Sequence, residues 1–399
     1  MSRLNELIQR LCPDGVKFKK LGALLDYEQP TKYIVKSTNY NDSYSTPVLT
    51  AGQTFILGHT NETKGIYVAT KDNPTIIFDD FTTSFHWVDF NFKIKSSAMK
   101  MLRPKVPNIS FRFVYYAMKC INYEPVDHSR HWISKYSQFE IPLPPLDVQN
   151  EIVRILDTFT SHAAELQAEL QARKEQYEYY RNKLLTFNKD DKNVKWMKLG
   201  EIGTFIRGKR FVRTDIVENG IPCIHYGDMY TYYGLKATKT KGMLRKDLAA
   251  KMRFAKKNDV VIVAAGENKD DIGVGLAWLG EEPVAVHDAC FIFKSKMYPQ
   301  YVAHFLRTDY YHKQIKKYVS EAKICSISAK GLAKTIIPVP SLEKQQHISS
   351  ILDKFEALVN DLTEGIPAEI AAVQEQYEYY RNKLLTFKDV GTYHGASST

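Results

Sequence analysis

A chain of 399 residues is long enough for two or three domains, each with a core of its own. Its 55 basic and 45 acidic residues give a formal net charge of +10, so the distribution of charge must decide whether the chain binds nucleic acid. The five cysteines include no CxxC pair, and the longest apolar run, residues 260–265, is too short to cross a bilayer. These features argue against a disulfide scaffold or a membrane protein and predict a cytoplasmic one.

Two mixed regions follow one another along the chain. Residues 1–11 predict a short amphipathic helix rather than a signal peptide. Residues 23–141 and residues 201–337 both alternate short β-type runs with Gly, Asn, Asp and Pro turns. The elements expected are strands at 46–50, 75–78, 87–94 and 260–264 and helices at 111–121 and 301–318. Because the two regions share little sequence, we predict two different globular domains.

The segments that frame these regions repeat. The 13 residues EQYEYYRNKLLTF at 175–187 return unchanged at 375–387, and the two regions end alike, in IPLPPL and IPVPSL. They also begin alike, after VKFKKLG and VKWMKLG, so the chain consists of two tandem halves. Since the solvent-side residues of the repeated segment are identical too, we expect two copies of one partner to dock on it. A recent duplication that has not yet diverged is the alternative.

Each half ends in a long helix. The apolar seam expected for the first helix is Phe159, Ala163, Leu166, Leu170, Arg173, Tyr177, Tyr180 and Leu184. Its 39 residues would make a rod of about 58 Å, and such a rod is not stable alone in water, so we pair the two helices antiparallel. The second helix carries four extra residues around Gly365 and Pro367, so we expect a break there and none in the first.

This order of segments resembles the specificity subunit of type I restriction–modification enzymes. The resemblance covers the chain up to Phe387 and rests on a globular insert, the sequence IPLPPLDVQNEIVRILD, a long helix, and a repeat of all three. The departures are the break near Pro367 and Ser341 in place of a second consecutive proline. The resemblance implies an α+β fold: two mixed α/β target recognition domains separated by two long antiparallel coiled-coil helices, in a pseudo-twofold circular arrangement.

The resemblance also divides the chain into segments with different roles. They are 1–22, N-terminal helix and lead-in; 23–141, first target recognition domain; 142–187, central conserved helix; 188–200, linker and lead-in; 201–337, second target recognition domain; 338–387, distal conserved helix; and 388–399, disordered tail.

The function implied by the resemblance is that of a non-catalytic DNA-recognition subunit. Such a subunit binds a bipartite, asymmetric site in double-stranded DNA and docks two methyltransferase subunits and two restriction/translocase subunits. S-adenosylmethionine, ATP and Mg would belong to those partners, with no cofactor in this chain. The docking candidates lie off the helical seam: Tyr179, Arg181, Lys183, Tyr379, Arg381 and Lys383.

The candidate DNA-binding residues come from a basic run and from polar loops. Residues 236–257 hold nine basic residues against one acidic residue, as phosphate contacts require. A second basic cluster lies just upstream, and tyrosines with Asp228 follow it. The candidates are Gln29, Lys32, Tyr33, Gln53, His59, Asn61 and Lys64 in the first domain and Arg207, Lys209, Arg210, Tyr226, Asp228, Tyr230, Lys239, Lys241, Lys251, Lys256 and Lys257 in the second. For the loop residues of the first domain, an ordinary solvated surface explains the composition equally well.

Three motifs point to other chemistry, and each is incomplete. Residues 203–209 fit GxxxxGK, but Arg210 stands where a P-loop needs Ser or Thr for Mg²⁺. Cys223, His225, His287 and Cys290 match no common zinc spacing, and Gly273-Val-Gly275 is a lone GxG. The chain also has no NPPY-type methyltransferase motif, no helicase motor set and no paired nuclease carboxylates. We therefore expect no catalytic residue and no metal site in this chain.

Two functions from other classes stay open at this point. One is a stand-alone DNA methyltransferase or nuclease with its own cofactor site. The other is a protein scaffold built on the coiled coil. Methyl transfer by the purified chain alone would support the first, and a lack of salt-sensitive DNA binding would support the second.

Overall fold

The computed structural model describes residues 3–52, 54–127, 129–361 and 363–390. Within them the backbone forms two compact units. Unit 1 comprises residues 3–164 together with 372–390, and unit 2 comprises residues 165–371. Each unit therefore combines one of the two mixed regions with parts of both long helical segments. None of the helices in the described ranges is both long and apolar enough to cross a bilayer.

The described part of unit 1 contains three β-sheets, one of them the two-stranded pair of its first and last strands. Its elements, ending with the helix that continues into unit 2, are α1 (Arg3–Leu11), β1 (Lys17–Lys20), α2 (Leu21–Leu24), β2 (Leu25–Glu28), β3 (Thr46–Leu49), β4 (Ile56–Thr60), β5 (Thr75–Asp79), β6 (Phe85–Val88), β7 (Lys93–Ile94), β8 (Met99–Pro104), α3 (Phe111–Met118), α4 (His131–Ser134), β9 (Glu140–Leu143) and α5 (Leu146–Leu184). A four-stranded antiparallel sheet has the order β2-β8-β5-β6, and a smaller sheet has the order β4-β3-β7. The larger sheet packs its apolar face against α3 and the start of α5.

Unit 2 is built on a longer set of strands. The remaining elements are β10 (Lys195–Lys198), α6 (Leu199–Ile202), β11 (Gly203–Arg207), β12 (Ile216–Val217), β13 (Ile221–Ile224), α7 (Asp228–Thr231), β14 (Lys236–Ala237), β15 (Gly242–Leu244), β16 (Phe254–Ala255), β17 (Val260–Val263), β18 (Ala265–Gly266), β19 (Gly275–Trp278), β20 (Val284–Val286), β21 (Cys290–Ser295), α8 (Pro299–Phe305), α9 (Asp309–Ile315), β22 (Val319–Ser320), β23 (Cys325–Ile327), α10 (Ala329–Ala333), β24 (Ile336–Val339), α11 (Leu342–Asn360) and α12 (Ile366–Leu384). The sheet orders are β11-β21-β17-β19-β14, β12-β15-β13-β20-β16 and β18-β23-β22. The strand expected at residues 260–264 is β17, fully buried at the centre of the first sheet.

The repeated lead-in of each half pairs with the repeated proline segment that closes it. β1 pairs antiparallel with β9, and β10 pairs antiparallel with β24. A buried glutamine then fixes the following helix. Gln149 accepts the N–H of Ser110 at 2.9 Å and donates to Pro144 O at 2.7 Å. Gln345 accepts the N–H of Tyr298 at 3.0 Å and donates to Pro340 O at 2.8 Å. The repeat thus encodes one frame, built twice around different domains.

The central helix has the predicted seam. α5 is unbroken over 39 residues. Its seam residues from Phe159 to Leu184 are buried or half-buried, while most residues between them are exposed. Sequence analysis missed Leu185, which is 2% exposed, because the heptad pattern assigned the contact to Leu184.

The second long helical segment is broken where the inserted residues lie. α11 ends at Asn360, and α12 begins at Ile366 with Pro367 in its first turn, where the missing N–H of proline costs no helical hydrogen bond. Asp361 Oδ1 accepts the N–H of Thr363 at 2.7 Å. The predicted break is therefore confirmed.

Within each unit, α5 packs on the other helical segment through the same two repeat positions. In unit 1, Phe159 stacks on Tyr380 with ring centroids 5.5 Å apart. In unit 2, Tyr180 stacks on Phe355 at 5.4 Å. Residue numbers in the second helical segment fall as those in α5 rise, as expected for antiparallel helices. Phe159 is the repeat counterpart of Phe355, and Tyr180 is the counterpart of Tyr380, so each pair stacks the same phenylalanine position on the same tyrosine position.

The C-terminal segment is paired beyond the point where a tail was expected. Val16 N–H donates to Lys388 O at 2.9 Å, and Val390 N–H donates to Val16 O at 3.1 Å. Val194, the repeat counterpart of Val16, is reached instead by continuous chain after Phe187. In unit 1, hydrogen bonds therefore join the repeated helix to the lead-in strand, whereas in unit 2 the continuous chain joins the equivalent segments. The other residues of the expected tail, 391–399, lie outside the described ranges.

Two expected elements are each divided in two. The predicted helix at residues 301–318 is α8 and α9, because the Thr308 side chain accepts the N–H of Tyr311 and starts a new helix. The predicted strand at residues 87–94 is β6 and β7, which belong to different sheets. In both cases the apolar sequence pattern continues through a point where the backbone changes direction, and only the tertiary structure shows that change.

The two units hold their domains on the repeated helix by one aspartate each. In unit 1, Asp157 accepts from Tyr116 Oη and, at 2.9 Å, from Arg112 Nε. In unit 2, Asp353 Oδ1 lies 2.8 Å from His304 Nε2, and Asp353 Oδ2 lies 2.6 Å from Lys236 Nζ. Burial lowers the pKa of His304, although Asp353 opposes this. The pKa of Asp353 is lowered too: burial would raise it, but His304 and Lys236 outweigh burial.

Stability should therefore fall as pH drops through a window set by His304. Its folded pKa lies below the unfolded value of about 6.5, so the unfolded chain binds more protons there and is increasingly favoured as pH drops from about 7.5 to 5. The contribution of Asp353 disappears only below about pH 4. We expect His304→Gln to lower Tm at pH 7.5, by roughly 2–4 °C for each kcal/mol of stability removed, but to flatten its decline towards pH 5.

Thermal denaturation of both proteins across this pH range measures the effect. His86, His225, His287 and His312, whose pKa values burial also lowers, are present in both proteins, so their shares cancel. Equal slopes of Tm against pH would contradict the role given to His304.

Candidate nucleic-acid interface and partner surface

A buried lysine fixes one candidate loop of unit 1. Lys93 is 2% exposed; its ammonium donates to Lys64 O at 2.7 Å and lies 3.2 Å from Glu62 Oε2. Glu62 in turn accepts the backbone N–H groups of residues 36 and 37 at 2.8 and 2.9 Å. The pKa of Glu62 is lowered: burial would raise it, but these N–H groups and Lys93 outweigh burial. The loop that carries Asn61 is therefore held rigidly in place.

The candidates of unit 1 divide into exposed and supporting side chains. Those that are exposed are Gln29, Lys32, Asn61 and Lys64. Tyr33 differs from the expectation: its hydroxyl donates to Glu28 at 2.7 Å, and burial, with Glu28, raises its pKa to about 12. It supports the loop instead of presenting a free hydroxyl. His59 is half-buried on β4, and Gln53 lies outside the described residues.

The basic run of unit 2 is not one helix. It consists of β14, β15, a 3₁₀ turn at Lys246–Lys251 and β16, so its lysines do not share a helical face. Several of its cations are already paired: Lys236 with Asp353 at 2.6 Å, Lys241 with Asp228 at 3.3 Å, Arg245 with Asp247 at 3.3 Å, and Lys257 with Glu281. Lys239, Lys246, Lys251 and Lys256 are exposed and have no ion pair within the described residues. These are the cations left for phosphate.

Asp228 is placed differently from the expectation. It is 6% exposed, and its carboxylate lies 3.3 Å from the Lys241 ammonium. A buried, ion-paired carboxylate cannot reach a base edge, so its role is to hold Lys241. The sequence could not show this, because burial is set by the tertiary structure.

The upstream basic cluster is anchored at one end and free at the other. Arg207 Nε donates to Asp288 O at 2.8 Å, and Arg207 O accepts from Arg253 at 2.7 Å. At Gly208 a Cβ would lie 2.2 Å from His287 O, so only glycine lets this segment approach that strand end. Lys209 and Arg210, which follow, are exposed.

An open cleft of about 530 Å³ brings together segments of unit 2 that lie far apart in the chain. Arg210, Arg213 and Tyr226 line it with Glu267 and Ile324. Tyr230 approaches the same loop, since its hydroxyl lies 2.6 Å from where a Cβ of residue 266 would be. Burial raises the pKa of Tyr230, so its hydroxyl keeps its proton at neutral pH.

Sequence analysis missed several residues of this part of the molecule. Glu267 and Ile324 were not among the candidates, whereas Arg213 belongs to the second basic cluster of the sequence and His287 was considered only as a zinc ligand. A further group of exposed lysines was also not considered: Lys313, Lys316, Lys317, Lys323, Lys330 and Lys334. The lysine group has a signal in sequence, its density of charge. The cleft has none, because its walls come together only in the fold.

The incomplete motifs have ordinary structural roles. Residues 203–207 of the GxxxxGK match form β11, paired with β21, and not the loop before a helix that binds phosphate. The His225 and His287 rings lie 4.8 Å apart, but Cys223 Sγ donates to Gly242 O at 3.4 Å. In the residues that the structure describes, no three His, Cys, Asp or Glu side chains form a metal-ligating group.

The repeated segment presents one face inward and one outward. Arg181 lies 5.1 Å from the Tyr177 ring and Arg381 lies 5.5 Å from the Tyr377 ring; both arginines are half-buried. The outward residues are Tyr179, 58% exposed, and Tyr379, 57% exposed, each with the ammonium of Lys183 or Lys383 at 3.3 Å from its hydroxyl. The identical outer surface is therefore a tyrosine–lysine pair in each copy, and the arginines serve mainly within the units.

The family model of the type I restriction modification DNA specificity domain matches residues 13–176 and 191–372. The specificity subunit of the type I restriction enzyme EcoR124I/EcoR124II of Escherichia coli is 41% identical, and the match covers 97% of this chain and 98% of that one. The crystal structure of a type I restriction–modification S subunit from M. genitalium aligns with a TM-score of 0.56 at 16% identity, over 94% of this chain and 97% of that one.

A second structure, which describes complex assembly and conformational transition of the type I R-M system, gives a TM-score of 0.55 at 17% identity, over 94% of this chain and 98% of that one. At these identities the structures show a shared fold, and the two-unit frame agrees with it. The matched domain occurs twice and covers most of the chain, once in each half. The chain belongs to the specificity subunits of type I restriction–modification systems.

Proposed function

We propose that this chain reads a bipartite, asymmetric site in double-stranded DNA, one half-site with each unit. The observation that carries this is one frame built twice around two domains that share the order of their main sheet but little sequence. The buried Gln149 and Gln345 make equivalent hydrogen bonds in the two units, while the candidate DNA-binding loops differ in sequence. Two different reading surfaces on equivalent frames recognise two different half-sites, so the whole site is asymmetric.

We further propose that the chain performs no chemistry and delivers catalytic partners to the DNA. Two methyltransferase subunits dock on the outward faces of the repeated segment, one on each copy. Two restriction/translocase subunits complete the assembly. S-adenosylmethionine is bound by the former, and ATP with Mg by the latter. The support for this is the identity of the two outward faces, which no interaction inside either unit requires.

Selection from randomised duplex DNA tests the proposal. The full chain, assembled with the methyltransferase subunit of its system, should enrich two fixed half-sites separated by a gap of unspecified sequence. The chain alone should transfer no methyl group from S-adenosylmethionine to the selected DNA. Methyl transfer by the chain alone, or enrichment of one continuous motif, would contradict the proposal.

The unpaired lysines of the basic run should contribute affinity without specificity. We expect Lys239→Ala, Lys251→Ala and Lys256→Ala together to weaken binding about equally on target and random DNA. The slope of log K against log[salt] should become shallower by about 0.9 for each phosphate that the variant no longer neutralises. Titrations at several salt concentrations measure both effects.

A matched control removes the same charge elsewhere in unit 2. Lys189 and Lys192, between the central helix and β10, and Lys195, the first residue of β10, are exposed, so replacing them by Ala should leave the slope nearly unchanged. An equal change of slope in both triple variants would show that only net charge matters. A change of sequence preference at constant slope would show that the basic run reads bases.

The outward lysines should control the number of methyltransferase subunits bound. We expect Lys183→Glu to cost one docked copy, and Lys183→Glu with Lys383→Glu to cost both, because each faces one copy of the same partner. Native mass spectrometry of the assembly counts the copies. Arg181 is unsuitable for this test, since its half-buried guanidinium stacks on Tyr177 within unit 2.

The control pair is Lys344→Glu with Lys354→Glu, exposed on α11 outside the repeated segment. It should assemble normally, and all variants should keep the Tm of the original chain. If the Lys183/Lys383 double variant still bound two methyltransferase subunits, the duplicated outward face would not be their docking site.

A further inference from the structure

The cleft of unit 2 is walled by three segments. Arg210 and Arg213 come from the segment after β11, Glu267 follows β18, and Ile324 precedes β23. The β18–β23 register pairs residue 265 with 326 and residue 266 with 325. Continued by one residue, it puts Glu267 opposite Ile324, where the ladder ends. A carboxylate and an apolar side chain thus stand side by side at the mouth, with two arginines on the other wall.

The floor of the cleft is a rigid aromatic layer. The Tyr226 ring lies 4.7 Å from the His225 ring and 5.1 Å from the His287 ring, and the buried Phe211 lies 5.1 Å from His287. His225 Nδ1 accepts the N–H of Gly227 at 3.2 Å. Burial lowers the pKa of both histidines, so this floor is uncharged at neutral pH. Any charge that a ligand meets comes from the walls.

Two carboxylates line this cleft: Asp288, whose Oδ1 lies 3.2 Å from His287 Nδ1, and Glu267, for which the described residues give no such neighbour. Glu267 is exposed, and its carboxylate has no hydrogen bond or ion pair among the described residues. Glu321, in the loop that joins β22 to β23, is paired with Lys269, and Asp228 is paired with Lys241. An unpaired negative charge close to basic residues repels phosphate, so it weakens non-specific DNA binding. It is compensated only by a ligand group that donates a hydrogen bond to it.

We propose that Glu267 reads one base of the half-site by accepting a hydrogen bond from an exocyclic amino group, with cytosine N4 as its preferred donor. A carboxylate pairs with that group in the major groove. The arginines opposite donate to guanine or to phosphate, and Ile324 offers an apolar contact of the kind that recognises a thymine methyl group. The inference rests on the proposed function, since it assigns a specificity-determining residue to one half-site.

The test is Glu267→Gln in the full chain, assembled with its methyltransferase subunit and selected on randomised duplex DNA. Gln keeps the size of the side chain but pairs with adenine N6 and N7. At one position of one half-site, the preference for cytosine should fall by roughly tenfold, with adenine gaining. All other positions and the second half-site should stay unchanged. Glu282→Gln, equally exposed in the same unit, should leave every position as it is.

The outcomes separate this inference from the proposed function. If the original chain enriches no two-part site, the proposed function fails. If it does, and Glu267→Gln enriches the same bases, the inference is overturned. Equal loss of preference at all positions would also overturn it, because Glu267 would then support the fold of the loop. Ile324→Ala gives a second reading: it should weaken the preference only at positions of the same half-site.

Discussion

The carboxylate at the first third of each repeated helical segment is the contact on which the two-unit architecture depends. Asp157 and Asp353 occupy equivalent positions, yet they accept from different donors: a tyrosine and an arginine in unit 1, a histidine and a lysine in unit 2. A half-buried acceptor is satisfied by any well-placed donor, because the hydrogen bond, and not the identity of its partner, offsets desolvation. One helix sequence can therefore carry two domains that share a sheet order but little sequence.

The inward side chains of the repeated segment also accept hydrogen bonds from a different donor in each unit. Asn182 accepts the N–H of Asp309 at the start of α9 in unit 2, whereas Asn382 accepts from Cys120 in unit 1. The inward residues thus meet a different neighbour in each unit although they are identical. Adaptable inward contacts do not by themselves require thirteen identical residues. The proposed docking of one partner on both outward faces would account for the repetition of Tyr179 and Lys183 together with the seam.

Periodicity and repetition in the sequence made the repeated frame of paired strands and long helices predictable. They did not predict which residues form the candidate DNA-binding surface. The α5 seam and the break before Ile366 follow from local rules of spacing and of proline geometry. Asp228 and Tyr33 have the composition of contact residues, but tertiary packing places one inside and pairs the other with Glu28. Glu267 was missed because its cleft unites segments more than fifty residues apart, and no local pattern encodes such a meeting.

The distribution of charge in unit 2 explains how one surface can serve both affinity and specificity. Several cations of the basic run are paired with carboxylates of the same unit and are not free to contact phosphate. The net charge of the run therefore overestimates its expected affinity for DNA. The electrostatic attraction of the unpaired lysines for phosphate extends over about a Debye length and does not depend on the DNA sequence. The cleft walls, where an unpaired carboxylate faces two arginines, act only at contact and only on complementary groups. In the proposed function, weak long-range attraction would bring DNA to the surface, and the short-range cost of an unmatched carboxylate would decide which sequence stays bound.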